Sequence, residues 1–211
     1  MQVHNSELNL NRKPIKFTHI DLNSKSICFM FSGGGYNYDK PLFYYSTMVM
    51  IKKNIDVVHI HYSYNEQTIK KPITELAKIM MDDIDPVISD ILNKRDYQYT
   101  IFLGKSLGTI PIAIELMKRD NFLDSKMVLL TPLLKFSAIF DSILNSQHHG
   151  LLVIGDQDKH YNTNQIDQLR NTNFEIEVFG NTNHSLDDGE FDAKASIAAL
   201  TRVMEQLQEM I

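Results

Sequence analysis

Apolar and polar positions along the chain fall into short blocks that switch between the period of a strand and that of a helix. Ile15 and Phe17 alternate with Lys16 and Thr18, as in a half-buried strand, and residues 1–25 read as a strand pair or edge structure. Ser26-Ile-Cys-Phe-Met-Phe31 is continuously apolar, the mark of a strand covered on both faces. It runs into Ser32-Gly33-Gly34-Gly35-Tyr36, after which Pro41 to Lys53 reads as a helix with proline in its first turn. Ile55 to His61 is the next strand. A helical region from Pro72 to Lys94 follows, and Pro86 is expected to break or kink it. Further strands are read at Tyr99–Leu103, Met127–Leu130, Leu151–Ile154 and Phe174–Phe179, the last alternating as a strand near an edge does. Helices are read at Leu107–Lys118, Phe136–Leu144 and Thr163–Leu169. In a final helix Ala193, Ile197, Leu200, Met204 and Leu207 share one face.

Strands alternating with helices imply an α/β fold: a mostly parallel central sheet with helices on both faces, in three layers. Ligands of such sheets bind beyond the carboxyl ends of the strands, so the informative loops are 32–40, 62–71, 104–106, 131–135, 155–162 and 180–189.

Gly104-Lys105-Ser106-Leu107-Gly108 lies in one of them, between a strand and a helix, where a G-x-S-x-G turn holds its serine in a strained conformation at the sheet edge. A side chain at either flanking position would collide with the neighbouring strand or helix, hence glycine at both. Gly-Lys-Ser also ends a phosphate-binding loop, but that motif needs a glycine where Tyr99 stands. A serine hydroxyl needs a base to take its proton and a third group to orient the base. Of the eight histidines, His148 and His149 precede a strand, away from the turn, and read as solvated; His4 and His19 belong to the N-terminal region. His59 and His61 share one strand face, but a metal pair there lacks a carboxylate or cysteine cluster, so packing or pocket lining is the expected role. His160 and His184 remain, and His184, on the loop before the last helix, is the better placed base. Asp158 at a strand end is the matching acid. Asp156 sits close enough to the strand to hold the turn instead, and Asp187 and Asp188 read as solvated residues preceding the last helix. Backbone donors for an oxyanion are expected from the amide of Leu107 and from the triple glycine, with Gly34 first and Gly35 next. Gly35, Tyr36 and Tyr62 are expected to contact substrate, with Tyr38, His61 and Tyr64 on neighbouring loops.

Composition narrows the setting. A chain of 211 residues, 43% hydrophobic and 22% charged, is expected to form one domain with a full-sized core. A net charge of -5 gives no reason to expect nucleic acid or an anionic membrane as partner. Met1 to Arg12 hold no apolar block of the signal-peptide kind, and no run has the length of a membrane span. The one cysteine, Cys28, lies in an apolar strand and reads as a buried inert thiol, which points to a reducing, cytoplasmic setting.

Taken together these residues resemble the α/β-hydrolase family over nearly the whole chain. The order Ser106, Asp158, His184 is similar to that family's nucleophile, acid and base, and so are the glycine loop after the first parallel strand, the G-x-x-D strand end and the helix after the histidine. Ser32-Gly33 stands where the family often has His-Gly, and Lys105 replaces the commoner histidine or acidic residue before the serine. Between Thr131 and Leu151 there is room for about one helix, so no cap insertion is expected and residues 1–211 read as a single domain. The resemblance implies hydrolysis of an ester, thioester or amide without metal or cofactor, and the expected reaction is cleavage of a small carboxylic ester or thioester through an acyl-enzyme. An acyltransferase using the same triad, or a non-catalytic binding protein on the same fold, are the alternative readings.

Overall fold

The computed structural model describes residues 1–9 and 14–211; residues 10–13, the end of the polar opening stretch, lie outside the described residues. The strands are β1 (Gln2–Asn9), β2 (Pro14–Asp21), β3 (Ser26–Phe31), β4 (Asp56–His61), β5 (Tyr99–Lys105), β6 (Lys126–Leu130), β7 (Gly150–Gly155) and β8 (Phe174–Phe179). The helices are α1 (Pro41–Lys52), α2 (Glu66–Ile69), α3 (Ile73–Lys94), α4 (Thr109–Ile114), α5 (Ser137–Leu144), α6 (Thr163–Leu169) and α7 (Ala193–Met210).

One sheet runs in the order β1-β2-β4-β3-β5-β6-β7-β8. β2 is antiparallel to both β1 and β4, and from β4 through β8 every pair is parallel. Alternation along the inner strands sorts side chains between two cores. Phe29, Phe31, Phe102, Leu129 and Leu152 point to the face covered by α3, α4, α5 and α6. Cys28, Met30, Leu103, Val128 and Val153 point to the face covered by α1 and α7. The continuous apolar runs of β3, β6 and β7 follow from this double coverage. Cys28 is fully buried, and burial pushes its thiol up, as an inert core cysteine requires. Among the described residues no helix is long and apolar enough to cross a membrane.

Two helices differ from expectation. α3 continues through Pro86 instead of ending there. Leu76, Met80 and Ile84 before the proline and Val87, Ile88 and Ile91 after it bury in the same core, and that packing outweighs one missing hydrogen bond. The run from Leu107 to Lys118 is three short pieces: a 3₁₀ turn at Ser106–Gly108, then α4, then a second 3₁₀ turn at Leu116–Lys118.

At the amino-terminal end of the parallel strands, Asp56 is completely buried. One of its oxygens accepts from the amides of Leu22 and Ser24, and the other from Arg95, at 2.6 Å, and the Tyr97 hydroxyl. Arg95 also grips both oxygens of Asp21 at 2.9 Å. Hydrogen bonding to Arg95 is the main reason that the Asp21 carboxyl falls from its ordinary 3.8 to about 2. Since the folded state favours ionised Asp21, that contribution is complete above the ordinary value and fades as pH falls towards 2. Arg95→Met should lower unfolding free energy by about 3 kcal/mol at pH 7, because it removes the guanidinium bonded to both Asp56 and Asp21. Urea titrations at pH 7 and pH 3 should also show a smaller acid-induced loss in the variant than in the wild type.

Candidate active site

β5 delivers Ser106 at the carboxyl edge of the sheet with φ of +52°, in the left-handed region that a non-glycine residue enters only under constraint. The constraint is crowding. A Cβ on Gly108 would lie 1.9 Å from the carbonyl oxygen of Phe31, and one on Gly104 would lie 2.4 Å from that of Gly108. The turn is wedged against the end of β3, and hydrogen is the largest group that fits. Thr109 Oγ1 then donates to the Ser106 carbonyl at 2.7 Å and ties the turn to α4.

The Ser106 hydroxyl lies 2.7 Å from His184 Nε2, and His184 Nδ1 lies 2.6 Å from Asp158 Oδ2. A carboxylate can only accept, so the imidazole carries its proton on Nδ1 and Nε2 accepts from the serine. Asp158 is 4% exposed, and its second oxygen accepts from the His160 amide at 2.9 Å. Burial opposes its charge, but the bonds from His184 and His160 outweigh burial and hold the carboxyl below its ordinary range. The loops carrying Asp158 and His184 are locked side by side. The Gln157 amide donates to the Thr182 carbonyl, and a Cβ on Gly155 would lie 2.1 Å from that same oxygen. Asp188 belongs to this lock and is not the solvated residue expected. It is buried, and accepts from Asn181 Nδ2 and from the amides of Glu190 and Asp192, so its carboxylate closes the loop before α7. Asp187 is exposed as expected, and Asp156 accepts from its neighbour Gln157.

The glycine loop after β3 rides on the serine turn. A Cβ on Gly33 would lie 3.3 Å from the Lys105 carbonyl oxygen and 3.6 Å from Ser106 Cβ. The Gly33 amide is committed to the Tyr36 carbonyl at 3.1 Å. Above Ser106, His184 and Leu107 opens a cavity of about 460 Å³, which Gly33, Gly34 and Gly35 border on one side. Tyr62 and Tyr64 form another wall, with rings stacked at 5.5 Å. Ile69, Ile73 and Leu76 from the α2–α3 region and Ile110, Leu133 and Phe136 complete an apolar lining. His160 also lines the cavity, 5.5 Å from the His184 ring, and burial pulls its imidazole down to about 4.

Several expected contacts lie elsewhere. Tyr36 faces a neighbouring groove with Leu186 and Ile197, and its hydroxyl accepts from the Leu42 amide. Tyr38 is buried, with its hydroxyl 2.7 Å from the carbonyls of Met30 and Ile60. His59 and His61 point away from the cavity; each lies 2.9 Å from a threonine hydroxyl, Thr47 or Thr18, that itself donates onward. Both Nε2 atoms therefore donate, and neither is open to a metal. His19, Asp21 and Asp56 form the one cluster of metal-ligand type among the described residues, and Arg95 already occupies it. His148, expected in solvent, is 2% exposed, held between Ser146 Oγ and the Phe122 carbonyl. His149 is exposed.

No protein-family model and no curated protein matches the sequence. Solved structures do match. An esterase from Pyrococcus furiosus superposes with a TM-score of 0.72 at 10% identity, over 99% of this chain and 91% of that one. A serine hydrolase without lid from Xanthomonas campestris gives 0.70 at 13% identity, over 99% and 93%. Est1E from Butyrivibrio proteoclasticus, in a structure with ferulic acid bound, gives 0.68 at 11% identity, over 97% and 96%. The chain has the α/β-hydrolase fold.

On this fold one site residue escaped the reading of the sequence. Lys105, noted only as an unusual neighbour of Ser106, is 1% exposed, and its ammonium reaches the His184 backbone. The two-residue period was the available signal, because it sets Lys105 on the same buried face as Ile101 and Leu103. The crowding at the hydrolase-fold turn gives a test. Gly108→Ala should lose at least about 3 kcal/mol of stability, read as a lowered thermal midpoint, since backbone and not a movable side chain opposes the methyl group.

Proposed function

We propose that the protein is a single-domain, cap-less serine hydrolase that cleaves a small carboxylic ester or thioester through an acyl-enzyme. The observation that carries this reading is the continuous chain of short hydrogen bonds from Asp158 through His184 to Ser106, at the floor of an open cavity. Ser106 Oγ attacks the substrate carbonyl as its proton passes to His184 Nε2, and buried Asp158 stabilises the imidazolium without taking the proton. The amides of Leu107 and Gly34 hold the oxyanion of the tetrahedral intermediate. Gly34 is favoured because the Gly33 amide is already bound to Tyr36. His184 returns the proton to the departing alcohol or thiol, and water repeats the sequence on the acyl-enzyme. No step calls for a metal or cofactor.

The acyl group rests against the apolar wall formed by Ile73, Leu76, Ile110 and Phe136, with Gly35, Tyr62 and Tyr64 alongside. Such a lining suits an aliphatic or aromatic acyl chain, and ferulic acid, the ligand found with Est1E, is an aromatic acid. A small-molecule substrate and a cytoplasmic setting, with no role for nucleic acid, complete the reading.

A short-chain nitrophenyl ester tests it. Ser106→Ala and His184→Ala should each lower kcat by about 1000-fold or more, with little change in KM. His160→Ala should keep most of the activity, because Asp158 is bonded by the His160 backbone and not its ring. Equal turnover by wild type and Ser106→Ala would sink the proposal.

A further inference from the structure

Lys105 sits directly before Ser106, 1% exposed, on the same buried face of the sheet as Ile101 and Leu103. Burying an ammonium is costly unless every proton finds a partner. Here three partners surround it. Nζ is 3.0 Å from the His184 carbonyl, 3.2 Å from Thr131 Oγ1, and 4.5 Å from the centre of the Tyr36 ring. These groups belong to the loops after β8, β6 and β3, so one side chain ties three loops to the strand that carries the serine. The tie to His184 is to its backbone, leaving the imidazole to meet Ser106 and Asp158.

We propose that Lys105 is a positioning residue that pins the His184 loop and keeps the base in register with the nucleophile. The proposal rests on the reading of Ser106, His184 and Asp158 as the catalytic relay. Among the described residues no carboxylate sits on Nζ. The acids that face it are Asp158, on the loop after β7, and Asp187, on the loop after β8, and both act through space. Tyr36 is the titratable group on the β3 side, and burial pushes its phenol up. Burial is the main influence on Lys105 itself, bringing it from 10.5 down to about 8 against the pull of the two acids. A neutral amine keeps two weaker donors and turns its lone pair towards the Tyr36 ring, so the pin loosens. The fold does not suffer. Because the folded state gives up the proton first, Lys105 makes stability rise, not fall, between about pH 8 and 10.5. Activity should thus decline above about pH 8 in a protein that stays folded.

Nitrophenyl ester kinetics and fluorophosphonate labelling across pH, on the full chain, test this. Lys105→Met fills the same space without charge or donors. It should keep a thermal midpoint at or above the wild type's and lose about 100-fold in kcat, with KM within about threefold. Labelling should slow by a similar factor, and the decline near pH 8 should be gone. A folded Lys105→Met with wild-type kcat and an unchanged pH profile overturns the proposal. If that variant does not fold, Thr131→Ala decides. Losing one acceptor should lower kcat about fivefold and move the alkaline decline to lower pH, and a wild-type profile there overturns the proposal too. Ser106→Ala separates the two levels. Labelling that survives in it overturns the relay and the pin together, whereas absent labelling with an unaltered Lys105→Met overturns the pin alone.

Discussion

Between the carbonyl oxygen of Phe31 and the Cα of Gly108 there is no room for a methyl group, and the rest of the site is arranged around that contact. It presses the serine turn onto the end of β3, which fixes where the chain leaves that strand. The next residues, Ser32 to Gly35, then begin within touching distance of Lys105 and Ser106. The separation between Ser106 and the glycine loop is thus set by backbone packing, the stiffest interaction available, and not by side chains that could rotate. Gly155 repeats the device two strands away. Its contact with the Thr182 carbonyl brings the loop of Asp158 against the loop of His184 before either side chain is placed. Two glycine contacts between backbones therefore define the frame, and the hydrogen bonds among Ser106, His184 and Asp158 close within it.

Buried charge is handled in opposite ways at the two ends of the sheet. Asp56, at the amino-terminal end, is neutralised by direct contact with Arg95, which holds Asp21 as well. That arrangement joins β2, β4 and the end of α3. Lys105, at the carboxyl end, is met by a carbonyl, a hydroxyl and an aromatic face instead. Neutral partners satisfy its protons but return less of the desolvation cost, so the ammonium sits close to losing its proton. The ion-paired cluster lies away from Ser106, and the group close to titration lies beside it.

Much of this was legible in the sequence, for identifiable reasons. The succession of strands and helices follows from alternating apolar runs and helical periods, which need no knowledge of contacts. Ser106, Asp158 and His184 were legible because each stands at the carboxyl end of a strand, where topology alone gathers loops. Residues whose partners come from distant segments were not. His148 looked solvated from its neighbours, yet its imidazole is held by Phe122, 26 residues away. Asp188 looked like a helix-flanking acid, yet it organises its own loop through Asn181. Pro86 carries a strong local signal for a break, and α3 overrides it because apolar side chains on both sides share one core. Tyr36 was rightly set on the glycine loop, but the ammonium of Lys105 lies over its ring, on the far side of the turn from the cavity.

Likeness to hydrolases at 10–13% identity and TM-scores near 0.7 follows from the same division. A doubly covered strand asks only for apolar residues, and many combinations meet that demand at the right volume. Positions such as Gly104, Gly108 and Gly155 admit one residue, because the neighbour is backbone at less than van der Waals distance. Most of the chain can therefore differ without moving the sheet, while a few crowded positions hold its carboxyl edge in place. What distinguishes one hydrolase-fold protein from another must then lie in side chains that the frame supports but does not dictate. In this chain those are the apolar wall from Ile69 to Leu76, which shapes the cavity, and Lys105, which reaches across the turn to the backbone of His184.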